Sequence, residues 1–372
     1  MLARVAELSN HIPNLLARAR ALLRLPGGPP DELSPAEMSR AGRAVESLHR
    51  GLVARRELAR ASTYDDPTHL GAYLLWWWPQ TYAKVRATLE MARAAGALPR
   101  TQPRLLDVGS GPAPAAIAVL DAFGGQAVAV DASEAALAEA RALSNGRIET
   151  RKGDLCAGAL HLDGLFDLVV IANALSELPA EARVPIVERL PVAPDGAVVM
   201  IEPALRETGR ALLEVRDELL RRGWMAAAPC LTQRPCPALQ NARDWCTAQH
   251  AWDAPRHLVQ LADELGLRAD LELSYAPVVV TRTVARAQRD VWRVVGVPQP
   301  EKGKKRLFVC SDEGRVPAVR LDRDASAANE QFARLARGDL VVLRGASARG
   351  DGLRIGHDAQ VQRLDRVPRG DS

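Results

Sequence analysis

The stretch Leu105-Leu106-Asp107-Val108-Gly109-Ser110-Gly111-Pro112-Ala113 limits what this chain can become. An apolar run ends in an acid, two glycines follow one residue apart, and an Ala- and Leu-rich helical pattern opens at about Ala115. This order predicts the first strand, glycine turn and first helix of a doubly wound α/β domain. Glycine at 109 and 111 leaves the backbone open to a ligand that a side chain would block. The amides at the helix start then face that ligand. An ordinary tight turn has the same short pattern, so the following residues decide.

They repeat the theme. Strand one is predicted over 104–108 and strand two over 127–130, ending at Asp131. Strand three spans 148–151 and is followed by Gly153-Asp154. Strand four, 166–172, leads to Asn173, and strand five, 197–201, leads to Glu202-Pro203. Helical patterns separate the strands. Asp131 lies 24 residues after Asp107, close to the offset at which an acid holds a ribose hydroxyl pair. Two acceptor oxygens on one carboxylate suit two adjacent hydroxyls. Asp154 stands where an acid reaches an adenine amino group. In this architecture ligands bind beyond the carboxyl ends of parallel strands.

From Leu105 to Pro203 the chain resembles the class I S-adenosylmethionine-dependent methyltransferases. A nicotinamide dehydrogenase usually carries a third glycine, and Gly109-Ser110-Gly111-Pro112-Ala113-Pro114 has none. The resemblance implies a cofactor turn at Gly109, Ser110 and Gly111 that admits the methionine and ribose parts of S-adenosylmethionine. It implies that Asp131 holds the ribose, that Asp154 holds the adenine, and that Asp107 orients the turn and the cofactor's amino group. Asn173 and Glu177 would line the acceptor side. Asn173-Ala174-Leu175-Ser176 lacks the Asn/Asp-Pro-Pro-aromatic pattern of base-amino methyltransferases, so no acceptor catalyst is identified.

A helical region is expected over 1–100. Leu and Ala recur at helical spacing over 1–25, and Pro26-Gly27-Gly28-Pro29-Pro30 ends that helix. Ser34-Pro35-Ala36-Glu37 opens a second one with a capping box. Its arginines, Arg40, Arg43, Arg50, Arg55, Arg56 and Arg60, read as a solvated face or as a nucleic-acid contact. The aromatic segment from Ala72 to Tyr82 reads as core packing against the sheet or as a base-stacking surface.

Three cysteines fall within 17 residues, spaced Cys230-x5-Cys236-x9-Cys246, and Cys310 ends a later apolar strand. Four thiolates suit a tetrahedral zinc ion or a [4Fe–4S] cluster. The tight pairs usual for zinc are missing, and prolines flank the thiols at 229, 235 and 237, which fits a loop around a larger cluster. Buried, unligated cysteines are the remaining alternative, and Cys156 reads as merely packed. Pro235-Cys236-Pro237 superficially resembles the Pro-Cys of cytosine-C5 enzymes, but two neighbouring cysteines argue for ligation.

Here the chain resembles a narrower family, the methyltransferase-like assembly factors of the small ribosomal subunit of mitochondria and bacteria. The matching residues are Tyr73-Leu74, Pro79-x-Thr81-Tyr82-Ala83, the 106–112 turn, 173–178, Glu202-Pro203, the Cys230/Cys236/Asp244-Trp245-Cys246 group, Ser274-Tyr275 and Cys310. The resemblance implies a [4Fe–4S] cluster on Cys230, Cys236, Cys246 and Cys310, and association with small-subunit ribosomal RNA. Three departures touch the RNA contacts: Ala204 replaces a frequent glycine, Thr247 replaces a frequent histidine, and the basic stretch beyond is reduced to His250, Arg256 and His257.

At 372 residues the chain is long for one domain. The expected division is a helical region at 1–100, a methyltransferase-like domain at 101–297 with a Cys-rich insertion at 229–257, and a basic connector with a small β-rich domain at 298–372. Short strand-like runs with a helical insert at 327–337 suggest a barrel of oligonucleotide-binding (OB) type there. The connector, 298–306, reads as an exposed basic loop. A net charge of +4 permits an anionic partner without requiring one. No apolar run approaches a membrane span and no secretory signal is read, so a cytoplasmic protein, monomeric off the ribosome, is expected. Ribosomal RNA methylation, a non-catalytic assembly role, and a small-molecule methyltransferase with a structural zinc site all remain as readings.

Overall fold

The computed structural model describes residues 5–54, 61–98, 102–155, 162–284, 287 and 290–365. They form two units. The first holds the described residues within 1–87, 99–201 and 250–273, and the second holds those within 88–98, 202–249 and 274–372.

In the first unit β1 (Arg104–Val108), β2 (Gln126–Asp131), β3 (Ile148–Lys152), β4 (Phe166–Ala172) and β5 (Val192–Pro203, as far as Ile201) pair in parallel in the order β3-β2-β1-β4-β5. Their runs are apolar on both faces because the sheet is covered on both faces. Leu168, Val169, Val170 and Ile171 are fully buried. β5 starts earlier than the sequence predicts. Val192 pairs with Phe166, and after a bulge the register resumes at Leu168 with Ala197. Helices α4 (Pro114–Phe123), α5 (Glu134–Leu143) and α6 (Ala180–Arg189) alternate with these strands, giving a Rossmann-like α/β arrangement.

Helices α1 (Val5–Leu23), α2 (Pro35–His49) and α3 (Pro67–Ala94, as far as Ala87) belong to the same unit. α1 buries Leu8, Ile12, Leu15 and Leu16, and its polar side is tied down by His11 to Asp121 at 2.6 Å and by Arg18 to Glu139 at 2.6 and 2.7 Å. At the start of α2 the Ser34 amide donates to Glu37 at 2.8 Å, as the capping box requires. Arg40, Arg43 and Arg50 are exposed, and Arg55, Arg56 and Arg60 lie outside the described residues. The aromatic segment is packing. Trp76 and Trp78 are buried, and the Trp78 indole donates to the Pro112 carbonyl at 3.0 Å, anchoring α3 to the glycine turn.

Helix α8 (Arg256–Leu265) changes the reading of the residues beyond the cysteines. His257 is buried with Nε2 3.1 Å from the Leu75 carbonyl, and burial lowers its pKa to about 4. Arg256 pairs with Glu32 at 2.8 Å. Both are engaged inside the first unit.

The second unit contains α7 (Arg206–Arg221), β6 (Met225–Ala228), the short β7 (Ala248–His250, up to Gln249) and most of β8 (Leu273–Thr281), which runs antiparallel to β6. Its second sheet comprises β9 (Val291–Val294), β10 (Gln299–Glu301), β11 (Lys304–Ser311), β12 (Gly314–Leu321), β13 (Leu340–Arg344), β14 (Ser347–Arg349), β15 (Gly352–Ile355) and β16 (Gln360–Leu364). The order is β14-β15-β12-β11-β9-β13-β16, with β10 on β11. Trp292, Leu307, Val309, Phe332 and Leu343 are among its core side chains. The segment expected to be an exposed basic loop is instead the β10–β11 hairpin. Glu301 draws Lys304 (2.8 Å) and Arg306 (3.5 Å) into ion pairs that favour pairing over a free loop, and Lys305 donates to the Ala333 carbonyl at 2.5 Å. Among the described residues no helix is long and apolar enough to cross a membrane.

Candidate functional site

The first candidate site lies wholly in the first unit, at the C-terminal ends of β1 to β4. After Val108 the chain turns through Gly109 (φ 65°) and Gly111 (φ 53°), both in the left-handed region. At Gly109 space is also short, because a Cβ there would stand 2.6 Å from the Ala174 Cβ. At Gly111 it would meet the Tyr64 ring at 3.7 Å. The Gly109 and Ser110 amides donate to the Val130 carbonyl at 2.9 and 3.1 Å, which holds the turn against the end of β2.

Asp131 continues that attachment. One carboxylate oxygen accepts from the Gly111 amide at 2.7 Å and the other from the Ser133 amide at 2.9 Å. The Ala132 amide bonds the carboxylate as well, which leaves it capacity for a further donor. Burial raises the pKa of Asp131 against these amide bonds. Asp107 is buried at 1% exposure, and one of its oxygens accepts from the Ala116 amide at 2.9 Å. The other has no hydrogen-bond partner among the described residues. Burial, with the charge of Asp131 adding, pushes the Asp107 carboxyl up to about 7. A buried carboxylate oxygen left open beside the glycine turn fits a ligand that brings a cation or donor of its own.

Asp154 is exposed, next to Gly153, whose amide donates to the Asp131 carbonyl at 3.0 Å. Asn173 adopts φ 61°, donates its amide to Ile201 at 2.7 Å, and reaches Thr81 with its side chain at 3.5 Å. Thus Asp107, Gly109, Ser110, Gly111 and Asp131 form one hydrogen-bonded turn, with Asp154 and Asn173 on the loops after β3 and β4.

Residues before the sheet complete the surroundings. Tyr64, beside Gly111, meets the Tyr73 ring edge-on at 5.0 Å, and burial raises both hydroxyls' pKa, with Glu177 and Asp131 contributing. Asp65 accepts from the Ser133 hydroxyl at 2.8 Å. Tyr73 and Thr81 carried part of the family resemblance, yet nothing in their spacing pointed to the turn. Tyr64 and Asp65 gave no signal beyond preceding a helix.

The second candidate site lies wholly in the second unit. Cys230, Cys236, Cys246 and Cys310 line one cavity. Arg216 of α7 is fully buried and donates to the carbonyls of Thr232 (2.5 Å) and Arg234 (2.9 Å). Its ion-pair partner Asp217 accepts from the Cys236 amide at 2.8 Å. Arg210 donates to the carbonyls of Asn241 and Asp244, both at 2.8 Å. From the second sheet Arg293 reaches the Pro229 carbonyl at 2.6 Å, Arg315 pairs with Asp244, and Arg337 reaches Thr247 at 2.8 Å. The cysteine loop is therefore fastened from the helix side and the sheet side.

Burial pushes the Cys236 thiol up to about 12 and the Cys246 thiol to about 11, and raises Cys310 further. Neighbouring thiols add to the shift at all three, while arginines among Arg216, Arg293, Arg315 and Arg337 oppose it. Among the described residues no group of three or more His, Cys, Asp or Glu side chains is arranged to hold a metal ion. Cys156 lies outside the described residues.

A family profile described as mitochondrial small ribosomal subunit Rsm22 matches residues 67–339. No curated protein matches the chain. Similar solved structures include a TehB-like SAM-dependent methyltransferase from Corynebacterium glutamicum, 18% identical, covering 52% of this chain and 88% of that one at a TM-score of 0.34. Another is the ribosomal protein L11 methylase from Lactobacillus delbrueckii subsp. bulgaricus, 16% identical, covering 53% and 79% at 0.33. A third is magnesium protoporphyrin IX methyltransferase from Synechocystis PCC 6803 with bound SAM, 13% identical, covering 72% and 90% at 0.34. All three likenesses are distant.

Proposed function

The chain belongs to the mitochondrial small ribosomal subunit Rsm22 family, and on that premise we propose that it binds S-adenosylmethionine and acts on the small ribosomal subunit through its RNA. The observation that carries this reading is the glycine turn hydrogen-bonded to Asp131 beside the open oxygen of Asp107. When bound, the donor supplies a methyl group on a sulfonium whose leaving group is already in place. The protein's part is then binding and orientation. The turn from Gly109 to Gly111 carries the methionine and ribose, Asp131 accepts from the ribose hydroxyls, and Asp154 accepts from the adenine amino group. Asp107 receives the donor's ammonium, and Asn173 faces the acceptor. No side chain is assigned as acceptor catalyst.

The thiol cavity is proposed to hold a [4Fe–4S] cluster on Cys230, Cys236, Cys246 and Cys310. In support, the four thiols line one cavity. The surrounding guanidiniums would offset the thiolate charge. Iron analysis and the visible spectrum of anaerobically purified protein test this. Iron with brown absorption, lost in Cys236→Ser, supports the cluster, and colourless protein with one zinc favours the structural-zinc alternative.

The second sheet is proposed to be of OB type. β9, β11 and β12 form a meander, a short 3₁₀ segment (Ala327–Arg334) follows, and β13 returns to β9. β15 then joins β12 in parallel and β16 joins β13.

Co-sedimentation of the full chain with small subunits, together with methyl mapping of ribosomal RNA from a deletion strain, tests the function. Co-sedimentation with a lost methyl mark makes the protein a ribosomal RNA methyltransferase. Co-sedimentation with an unchanged map makes it an assembly factor without catalysis. Absence of co-sedimentation would defeat both and return the small-molecule reading. The cellular compartment follows that of the subunit it serves.

A further inference from the structure

We infer that the outer face of β11 and β12, walled by the β14–β15 hairpin, is a binding groove for single-stranded RNA, with Phe308 as the surface on which a base stacks. This rests on the proposed RNA-directed function and names the site and the form of RNA.

Strand alternation creates the face. Leu307 and Val309 point into the core at 0% exposure, so Lys304, Arg306 and Phe308 point the other way. The register sets Lys304 opposite Leu321, Arg306 opposite Val319 and Phe308 opposite Pro317, placing an apolar row beside a basic and aromatic one. The β14–β15 hairpin turns through Gly350 (φ 60°) and Asp351. It closes tightly on the floor, since a Cβ on Gly352 would stand 2.4 Å from the Pro317 carbonyl oxygen. The resulting cavity is about 400 Å³, and Arg349 and Arg354 stand on its wall.

The charges favour an anion with a planar apolar part. Four cationic side chains, Lys304, Arg306, Arg349 and Arg354, line the cavity against one acid, Asp351. Glu301 offsets Lys304 and Arg306, and Asp324 pairs with Arg354, while Arg349 is exposed without an ion pair among the described residues. The Nε of Arg306 is buried without a hydrogen-bond partner among the described residues, its facing acid being Glu301 at 3.5 Å. Phe308 is half-buried between the basic residues and is steadied by the Arg315 guanidinium 5.0 Å from its ring centroid. A ring flanked by cations matches one base and its adjoining phosphates. An acidic peptide would use the cations and leave the ring unused, and a duplex keeps its bases stacked away from such a pocket.

The test is titration of the full chain into fluorescein-labelled single-stranded RNA of about ten nucleotides, followed by anisotropy between about 50 and about 200 mM salt. Phe308→Ala is expected to weaken binding about tenfold with the salt slope retained. Arg349→Glu should weaken it and flatten the slope by about one contact. Phe308→Trp should keep the affinity, a rescue that a merely structural role for the ring would not give. Unchanged binding in both Phe308→Ala and Arg349→Glu would overturn the groove. So would full displacement by poly-glutamate, or a duplex binding as tightly as the single strand. A wild-type chain that binds the oligonucleotide at this groove but never co-sediments with small subunits would leave the groove standing and defeat the ribosomal reading.

Discussion

The glycine turn of the first unit and the thiol cavity of the second are built in opposite ways. The turn is made by contiguous chain. Residues 107 to 116 supply its acid, glycines and helix amides, and one further strand end supplies Asp131. The cavity gathers Cys230, Cys236 and Cys246 from a loop and Cys310 from a strand of the second sheet. The turn is held mainly by backbone conformation and amides, the cavity by long side chains that reach from neighbouring elements to loop carbonyls. Damage should follow this division: backbone changes should break the turn, and loss of single charged side chains should break the cavity.

The largest effect is expected for Arg216→Ala. It removes a fully buried guanidinium and leaves one Asp217 oxygen and two carbonyls without the donor they share, which costs about 3–5 kcal/mol. Chemical denaturation measures the loss, and hydrogen exchange should show it centred on 229–246. Next comes Gly109→Ala, about 2–3 kcal/mol, since strain at φ 65° adds to the collision with Ala174. Gly146→Ala is the matched control. It has φ 74° and, among the described residues, nothing within 4 Å, so only the strain of about 1 kcal/mol remains. Equal losses at the two glycines would remove crowding from the description of the turn.

Asp107 gives a pH signature. Its native pKa of about 7 lies above the ordinary 3.8, so the native state holds the proton more tightly than the unfolded chain. The associated stability is present below pH 4 and is lost as pH rises through 7. Asp107→Asn should therefore be more stable than wild type at pH 8, and the gap should close towards pH 4. A gap independent of pH would remove the buried carboxyl as its cause. The smallest effect, about 1 kcal/mol by thermal melting, is expected for Ser133→Ala, which removes the cap of α5 and the bond to Asp65.

How far the sequence revealed these regions follows from the same division. β1 and β4 match the predicted bounds because their apolar runs end abruptly in Asp107-Val108-Gly109 and Ala172-Asn173. The capping box at Ser34 and Glu37 is a four-residue pattern and was equally readable. The start of β5 was not, because a bulge opposite Phe166 breaks the periodicity. The hairpin at 299–306 was hidden because lysines, proline and glycine there look like a loop until Glu301 is seen to gather the charges. Tyr64 beside Gly111, the open oxygen of Asp107 and the arginines around the cysteines depend on tertiary contacts that no local spacing encodes.

The most direct measurement is calorimetric titration of S-adenosylhomocysteine into the wild-type chain and into Asp131→Ala and Asp131→Asn. If Asp131 both holds the Gly111 amide and receives a ribose, wild type binds at micromolar concentration and Asp131→Ala loses about a hundredfold, with part of that regained in Asp131→Asn. Absence of binding to wild type, or equal affinity in all three proteins, would contradict the assignment of this turn as the donor site.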